Sequence, residues 1–460
     1  MKTTSFKKTL LTGLAVLGAF TGLASAQTVI RIVGSNGDRT ATQTAISKLL
    51  APGWVYRGIS GAGNTSSSGS LTIATDSNFG AWNGTYNGNA VIIKTSFTGA
   101  LAGIQAVAGG QATFRFVVSD GTGNGVLVNP ISGGAVLNTD YELAAADFGF
   151  STNFQSTSPF NGLFQGVTYS PVVEEIVGVS PLGFYASPGF PGTPSSDRPS
   201  FKPNITTQLA RQLYTTGALS LAQFTGDYVN DKDKIVYAIG RNTDAGQRYS
   251  AYLELGFNTN SQVKVWFPTF STAQTTAGNL TYGGIVGTHQ PWPIAQQPGG
   301  IAVPLGSGGY NSGANLAAVL TTTLGVNAYK GQYFDDDLQA TVFQYPNATA
   351  GYYVGYVTPG DANNRILGNN GALPVANRGV SLSFNGVALT TGNVKNGTYT
   401  AWLYNRIIKP QSGLSGDKLT FANALRDQIA TVDAPAGGGF FDDATVLVKR
   451  FTDGGDVVPK

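Results

Sequence analysis

The chain has no cysteine and a single histidine, His289, in 460 residues. Without cysteine there is no disulfide, no thiolate nucleophile and no thiolate-held metal. A lipid anchor of the kind attached at a cleavage-site cysteine has no residue to carry it. The one histidine sits between Thr288 and Gln290 with no G-x-S-x-G elbow beside it, which argues against a histidine-dependent triad. It reads as a solvated loop residue. Charge is also scarce: Asp, Glu, Lys and Arg together make up 12%, against about 25% in typical soluble domains. No metal-ligand cluster or cofactor fingerprint stands out, so no cofactor is expected and an enzyme is the weakest functional class.

What is present is glycine, at 62 residues, with a 42% hydrophobic content that can fill a sizeable core. Abundant Asn, Ser and Thr give the look of a protein with neutral polar surfaces and many turns. Residues 1–26 read as a secretory signal peptide. Lys2, Lys7 and Lys8 form its basic start, Leu10 to Leu23 its apolar centre, and Ala24-Ser25-Ala26 its small-residue cleavage site. Removing three lysines leaves 25 basic against 25 acidic residues, so the computed pI of 8.8 owes much to the leader. A neutral mature chain argues against a nucleic-acid partner. The expected location is periplasmic or secreted.

Strand, loop and helix alternate along the chain, which points to an α/β fold. Three loops of this kind stand out. Thr28–Val33 is a strand, followed by Gly34-Ser35-Asn36-Gly37-Asp38-Arg39 and a helix from Ala41 to Leu50. Ala90–Lys94 is a strand, followed by Ser96, Thr98 and Gly99 and a small-residue helix to Val107. Ile235–Ile239 is a strand, followed by Gly240-Arg241-Asn242-Thr243-Asp244-Ala245-Gly246-Gln247-Arg248 and a short helix. Such loops aim backbone N–H groups and a positive helix end at whatever lies in front, which favours an anion. Arg241 or Arg248 can add a bidentate guanidinium contact to an oxyanion. Asp38 is a misfit beside an anion unless it caps its helix. Residues 51–90 and 111–144 read as insertions, the tract Ser66–Ser70 as flexible, and 271–300 as a long proline-containing loop.

The loop Gly240–Arg248 resembles the R-x-x-x-S-G-T loop of periplasmic phosphate-binding proteins, the substrate-binding subunits of phosphate ABC importers. In that family the Arg, the Ser hydroxyl, the Gly N–H and the Thr hydroxyl hold phosphate. Arg241 and Gly246 match. Ala245 stands in place of the Ser and Gln247 in place of the Thr, with Asp244 and Arg248 flanking. Gly34 and Ser35 resemble the family's first loop, which directs Asn36, Gly37 and Arg39 towards ligand. Thr98 and Gly99 are similar to its G-S-S-G-G loop. Asp147-Phe148-Gly149-Phe150-Ser151-Thr152 resembles D-F-G-A-S-D, with Thr152 where the family's last Asp selects protonated phosphate over sulfate. Gly306–Asn315 resembles its G-G-N-E-G-V stretch. Tyr352–Val357 is similar to its I-G-Y-V strand, which returns the chain towards the first lobe.

The resemblance implies a type II periplasmic-binding-protein fold, two α/β lobes with a ligand cleft, here with β-rich insertions. Residues 27–175 and 350–460 would form the first lobe and residues 176–349 the second. The implied function is capture of phosphate or a related oxyanion by cleft closure, for delivery to the membrane subunits of an ABC importer. The alternative is a secreted surface or matrix protein that keeps the fold without ligand binding, which the changes at Ala245, Gln247 and Thr152 favour. The leader is directly testable: mass spectrometry of protein from the native host should find Gln27 as the first residue, and an intact Met1 would refute it.

Overall fold

A computed structural model describes residues 27–60, 70–109, 112–123, 125–192, 201–259, 261–293, 305–335, 337–437 and 440–460. The leader and most of the Ser66–Ser70 tract lie outside the described residues.

Thirteen strands in chain order build two sheets. They are β1 (Thr28–Gly34), β2 (Val55–Ser60), β3 (Ser77–Tyr86), β4 (Asn89–Phe97), β5 (Phe148–Ser151), β6 (Val172–Pro181), β7 (Gly183–Ala186), β8 (Asn204–Ile205), β9 (Ala218–Ser220), β10 (Lys234–Ala238), β11 (Ala350–Val357), β12 (Val380–Phe384) and β13 (Trp402–Pro410). The helices used below are α1 (Asn36–Leu49), α2 (Ala100–Ala108), α3 (Thr207–Thr216), α4 (Gly246–Glu254), α5 (Gly313–Val319), α6 (Pro359–Arg365) and α7 (Gly416–Asp427). The first sheet runs β6-β13-β5-β1-β4-β3-β2 and the second β8-β12-β7-β11-β10-β9. In the first, β1 pairs parallel with β4 and β5, and β13 runs antiparallel between β5 and β6. The chain crosses between the sheets from β6 to β7 through Leu182 alone, and crosses back between β12 and β13. Two α/β lobes whose sheets are joined by two strand crossings are the type II arrangement that the resemblance implied.

Local chemistry accounts for the elements. β1 and β4 are rich in Ile, Val and Thr, which suit a pleated, buried strand. Thr206 caps α3 by accepting from Leu209 N at 3.1 Å, and Gly217 closes it with φ +84°, a conformation that favours glycine. The first core joins Ile30, Ile32, Phe148, Phe150 and Ile407 to Ala45 and Ile46 of α1 and to Phe421 and Leu425 of α7. The second joins Val236, Val354, Tyr356 and Leu382 to Leu213 and Tyr214 of α3.

Several expectations are corrected. β11 and β12 each pair with β7 in the second sheet, so the chain does not return to the first lobe at residue 350. Residues 176–181 complete β6 and belong to the first sheet, not the second. An I-G-Y-V-like strand reads the same from either lobe, because a parallel strand buried on both faces carries no lobe label. Residues 51–90 are not a mere insertion: β2 and β3 extend the first sheet. The supposed loop 271–300 holds the strand Ile285–Pro291, paired antiparallel with Trp266–Thr272. Pro291, Pro293 and Pro298 made this stretch read as a loop, but Pro291 only ends the strand. His289 belongs to it and is buried, not solvated. Its ring lies 4.3 Å from Tyr237 and 4.4 Å from Trp266, and Nδ1 meets Tyr353 Oη at 3.1 Å. Burial pushes its pKa down to about 3, so it is a neutral core aromatic.

The small residues of α2 are there for packing as well as for any ligand. A Cβ on Gly103 would overlap Phe150 O and lie 2.8 Å from Phe150 C. Gly103→Ala should therefore force α2 off β5 and destabilise the protein by about 1–3 kcal/mol. Thermal melting checks this; an unchanged midpoint would show that the helix can shift freely.

Candidate functional site

In α/β sheets the ligand end lies beyond the carboxyl ends of the strands. Here β1, β4 and β5 of the first lobe and β10 of the second end at one seam. Gly99 N donates to Gly34 O at 3.2 Å, which joins the first two loops. A Cβ on Gly99 would lie 2.7 Å from Asp244 O, so the arginine loop of the second lobe touches the first lobe there. Gly246 is closer still: its Cβ would overlap Thr152 Oγ1 and lie 2.6 Å from both Ala100 Cβ and Asn153 Oδ1. The four loops singled out in the sequence thus meet at one interlobe contact.

Three helices start here. α1 is capped by Ser35, whose Oγ accepts from Gly37 N at 3.0 Å. Asp38, expected as the cap, is not: it is buried in the first turn, accepting from Asn405 Nδ2 at 2.6 Å. α2 and α4 have no side-chain cap, because Gly99 and Ala245 precede them. Their first N–H groups and positive ends face the same contact.

The expected site residues divide into three groups. Some face the seam. Asn36 and Thr152 each bury a side-chain oxygen with no hydrogen-bond partner among the described residues, as do Asn153, Asn242 and Thr243. Gly99 and Gly246 make the close approaches, and Asp244 is half-buried beside them, its pKa raised by burial. A second group is taken up by the protein itself. Arg241 is buried and donates from Nε to Tyr310 O (3.0 Å), from Nη1 to Gln247 Oε1 (2.6 Å) and from Nη2 to Asn311 O (3.3 Å). Arg248 donates from Nη1 to Arg241 O and Gly308 O and from Nη2 to Ser307 O and Oγ, at 2.7–3.1 Å. It fastens the 307–308 loop. Ser151 accepts from Asn153 N at 3.1 Å. A third group points elsewhere. Arg39 donates to Thr75 O at 2.9 Å and to Asn78, and lies 3.6 Å from Asp76. Gly37 and Thr98 are exposed.

Charge at the seam is mixed. Asp361, in the first turn of α6, lies over Gly313: a Cβ there would be 2.9 Å from Asp361 Cγ and 3.4 Å from Arg241 Nη1. Burial raises its pKa even though Arg241, Arg365, Thr358 and Gln247 favour the ionised form. Burial lowers that of Arg241, and Asp361 opposes this. The guanidinium therefore already has a counter-ion and three acceptors, and two of its five N–H groups remain.

Helix α4 belongs to both lobes. Its Ala251 and Tyr252 pack in the second core, while Tyr249 joins Leu101, Ile104, Phe160 and Tyr169 of the first lobe. Separating the lobes would expose Tyr249, at a cost of about 1.5–3 kcal/mol.

No family model and no curated protein matches the sequence. Among solved structures the chain resembles phosphate receptors. An ABC-type phosphate transport receptor from Vibrio cholerae is 12% identical, with 90% of this chain and 99% of that one covered and a TM-score of 0.41. PstS from Borrelia burgdorferi is 12% identical, with 90% and 99% covered and a TM-score of 0.36. Scores this low carry no argument about function, and the two-lobe assignment rests on the strand order given above. Among the described residues no helix is long and apolar enough to cross a membrane.

Reading by motif missed Asn153, Asp361 and the carbonyls of Tyr310 and Asn311. Asn153 directly follows the D-F-G-F-S-T match and was within reach. Asp361 follows Thr358-Pro359-Gly360 at a helix start, where an acidic residue is ordinary capping chemistry. Nothing local marks it as a cleft residue.

Asp38 supplies a pH test. Burial raises its pKa to about 7, with Asn405 and Arg406 opposing. An unfolded Asp ionises near pH 4. Between these values the folded chain binds a proton that the unfolded chain has lost, so stability falls as pH rises from about 4 to about 7. Above that range the contribution is flat. Asp38→Asn should remove this slope and raise stability at pH 8 by a few kcal/mol, measured by urea unfolding across the range. Parallel pH profiles for the two proteins would refute the assignment.

Proposed function

We propose that the interlobe seam binds a small oxyanion, phosphate or a chemical relative, and that the protein is an extracytoplasmic solute-binding protein serving an ABC importer. The observation that carries this reading is the meeting of two uncapped helix starts, α2 and α4, with the buried and unpartnered hydroxyls of Thr152 and Thr243. A buried polar group without a partner costs about 1–3 kcal/mol. Hydroxyls and N–H groups gathered at two positive helix ends are satisfied together by an anion with several acceptor oxygens. Arg241, with two N–H groups left, supplies charge. Asn36, Gly99, Gly246 and Gln247 are the remaining contacts in this reading, while Arg248, Arg39 and Thr98 are supporting or peripheral. Binding is non-covalent, and no catalytic role is assigned.

One observation favours a second reading, a secreted protein that keeps the fold without a ligand. Arg241 has its donors on protein acceptors and Gly246 lies directly on Thr152, so the two lobes already satisfy each other in part.

Calorimetric titration of the mature protein with phosphate and sulfate separates the two. Oxyanion binding with loss in Arg241→Ala is expected, since removing one partner of a buried charge contact costs about 2–5 kcal/mol. Thr152 can donate to an ionised oxygen but cannot accept from a protonated one as a carboxylate does. Thr152→Asp should therefore raise the preference for phosphate over sulfate. No heat with either anion at millimolar concentration would establish the second reading.

A further inference from the structure

The last fifteen residues do more than end the chain. After α7 packs on the first lobe, Val446 and Val448 enter the second core beside Phe384, Val394 and Tyr399. The segment from Arg450 to Gly454 then lies between α4 and the loop that follows β5. On the second-lobe side, Arg450 Nη1 donates to Glu254 Oε2 at the end of α4 at 2.8 Å, with the two side chains only 3% and 10% exposed. Arg450 Nη2 donates to Thr400 O at 2.6 Å, and its guanidinium lies 4.3 Å from the Trp402 ring. Gly454 rests on Leu253 of α4, where a Cβ would overlap the backbone and lie 2.9 Å from Leu253 Cβ; its φ of +65° also favours glycine.

On the first-lobe side one carboxylate oxygen gathers three donors. Asp453 Oδ2 accepts from Phe154 N at 2.8 Å, Thr157 Oγ1 at 2.5 Å and Asn153 Nδ2 at 3.3 Å. The same Asn153 Nδ2 also faces Gly246 O and Ser250 Oγ of α4. Behind it the buried Arg406 stacks at 3.4 Å on Phe154; burial lowers its pKa, and the Asp453 charge opposes this. α4 is therefore held at its start by Thr152, Ala100 and Asn153 and at its end by the terminal segment.

We propose that Arg450–Gly454 is a clasp that keeps the two lobes shut, with Asp453 the positioning residue that sets Asn153 and Phe154 against α4. A buried ion pair on one lobe and a three-donor carboxylate on the other make its release cooperative: losing either anchor leaves buried charge without its partner. The clasp does not depend on what, if anything, the seam binds.

The absence of cysteine makes the test direct. Spin labels at Thr40→Cys on α1 and Asn364→Cys on α6, both exposed positions, report the distance between the lobes. In the full mature chain with phosphate absent, one narrow distance distribution is expected. Adding Asp453→Asn and Arg450→Met should introduce a longer-distance population. It should also speed amide exchange in residues 151–154 and 246–250 by at least about tenfold. If that variant fails to fold by circular dichroism, Glu254→Gln, which cuts only the second-lobe anchor, decides by the same two readouts. An unchanged distance distribution in a folded variant overturns the proposal, even if the melting temperature falls. So does a wild-type chain that already samples the open distance.

Discussion

Everything at the seam depends on one steric condition: residue 246 must have no side chain. The start of α4 lies so close to Thr152, Ala100 and Asn153 that a single Cβ would collide with all three. That approach brings the two uncapped helix ends face to face. It also lets α4 pack Tyr249 into the first lobe and Tyr252 into the second. A helix with a foot in each core couples the lobes through the hydrophobic effect as well as through hydrogen bonds. The short β6–β7 link and the terminal clasp then act on lobes that are already in contact.

The electrostatics of the seam follow from that closeness. Burial there disfavours the charged form of several ionisable groups. Asp38, Asp244 and Asp361 all rise, and Arg241 falls. Asp361 balances Arg241, whereas Asp38 keeps one oxygen with no partner among the described residues. The seam satisfies itself in part, through Arg241 and its acceptors, and leaves a handful of buried side-chain oxygens without partners among the described residues.

Much of the strand–loop–helix order was legible in the sequence. β1, β4 and β10 carry dense Ile, Val and Tyr, and glycines with Ser, Asn or Asp mark the turns into helices. The strand Ile285–Pro291 was not legible, because proline usually argues against a strand and its partners Trp266–Thr272 and Thr323–Leu324 lie elsewhere in the chain. His289 read as solvated because its neighbours in sequence are polar; its neighbours in space are Tyr237, Trp266 and Tyr353. Arg241 and Arg248 looked equivalent at seven residues apart. The path of the 307–311 loop distinguishes them: Ser307 and Gly308 accept from both Nη atoms of Arg248, while Tyr310 and Asn311 accept from Nε and Nη2 of Arg241.

By itself the sequence determined the α/β class, the loops that precede helices and the absence of thiol chemistry, because these follow from composition and local periodicity. It also placed Gly246 and Gly99 at turns, though not the reason for them. The tertiary structure decided which lobe each strand joins, that α4 is shared, and that the chain end returns to fasten it. Those facts rest on contacts such as Asp453 with Phe154 and Arg450 with Glu254, which join residues about 200 to 300 positions apart. Short-range patterns hold no information at that separation. It is resolved when apolar faces pair and buried polar atoms find partners across the fold.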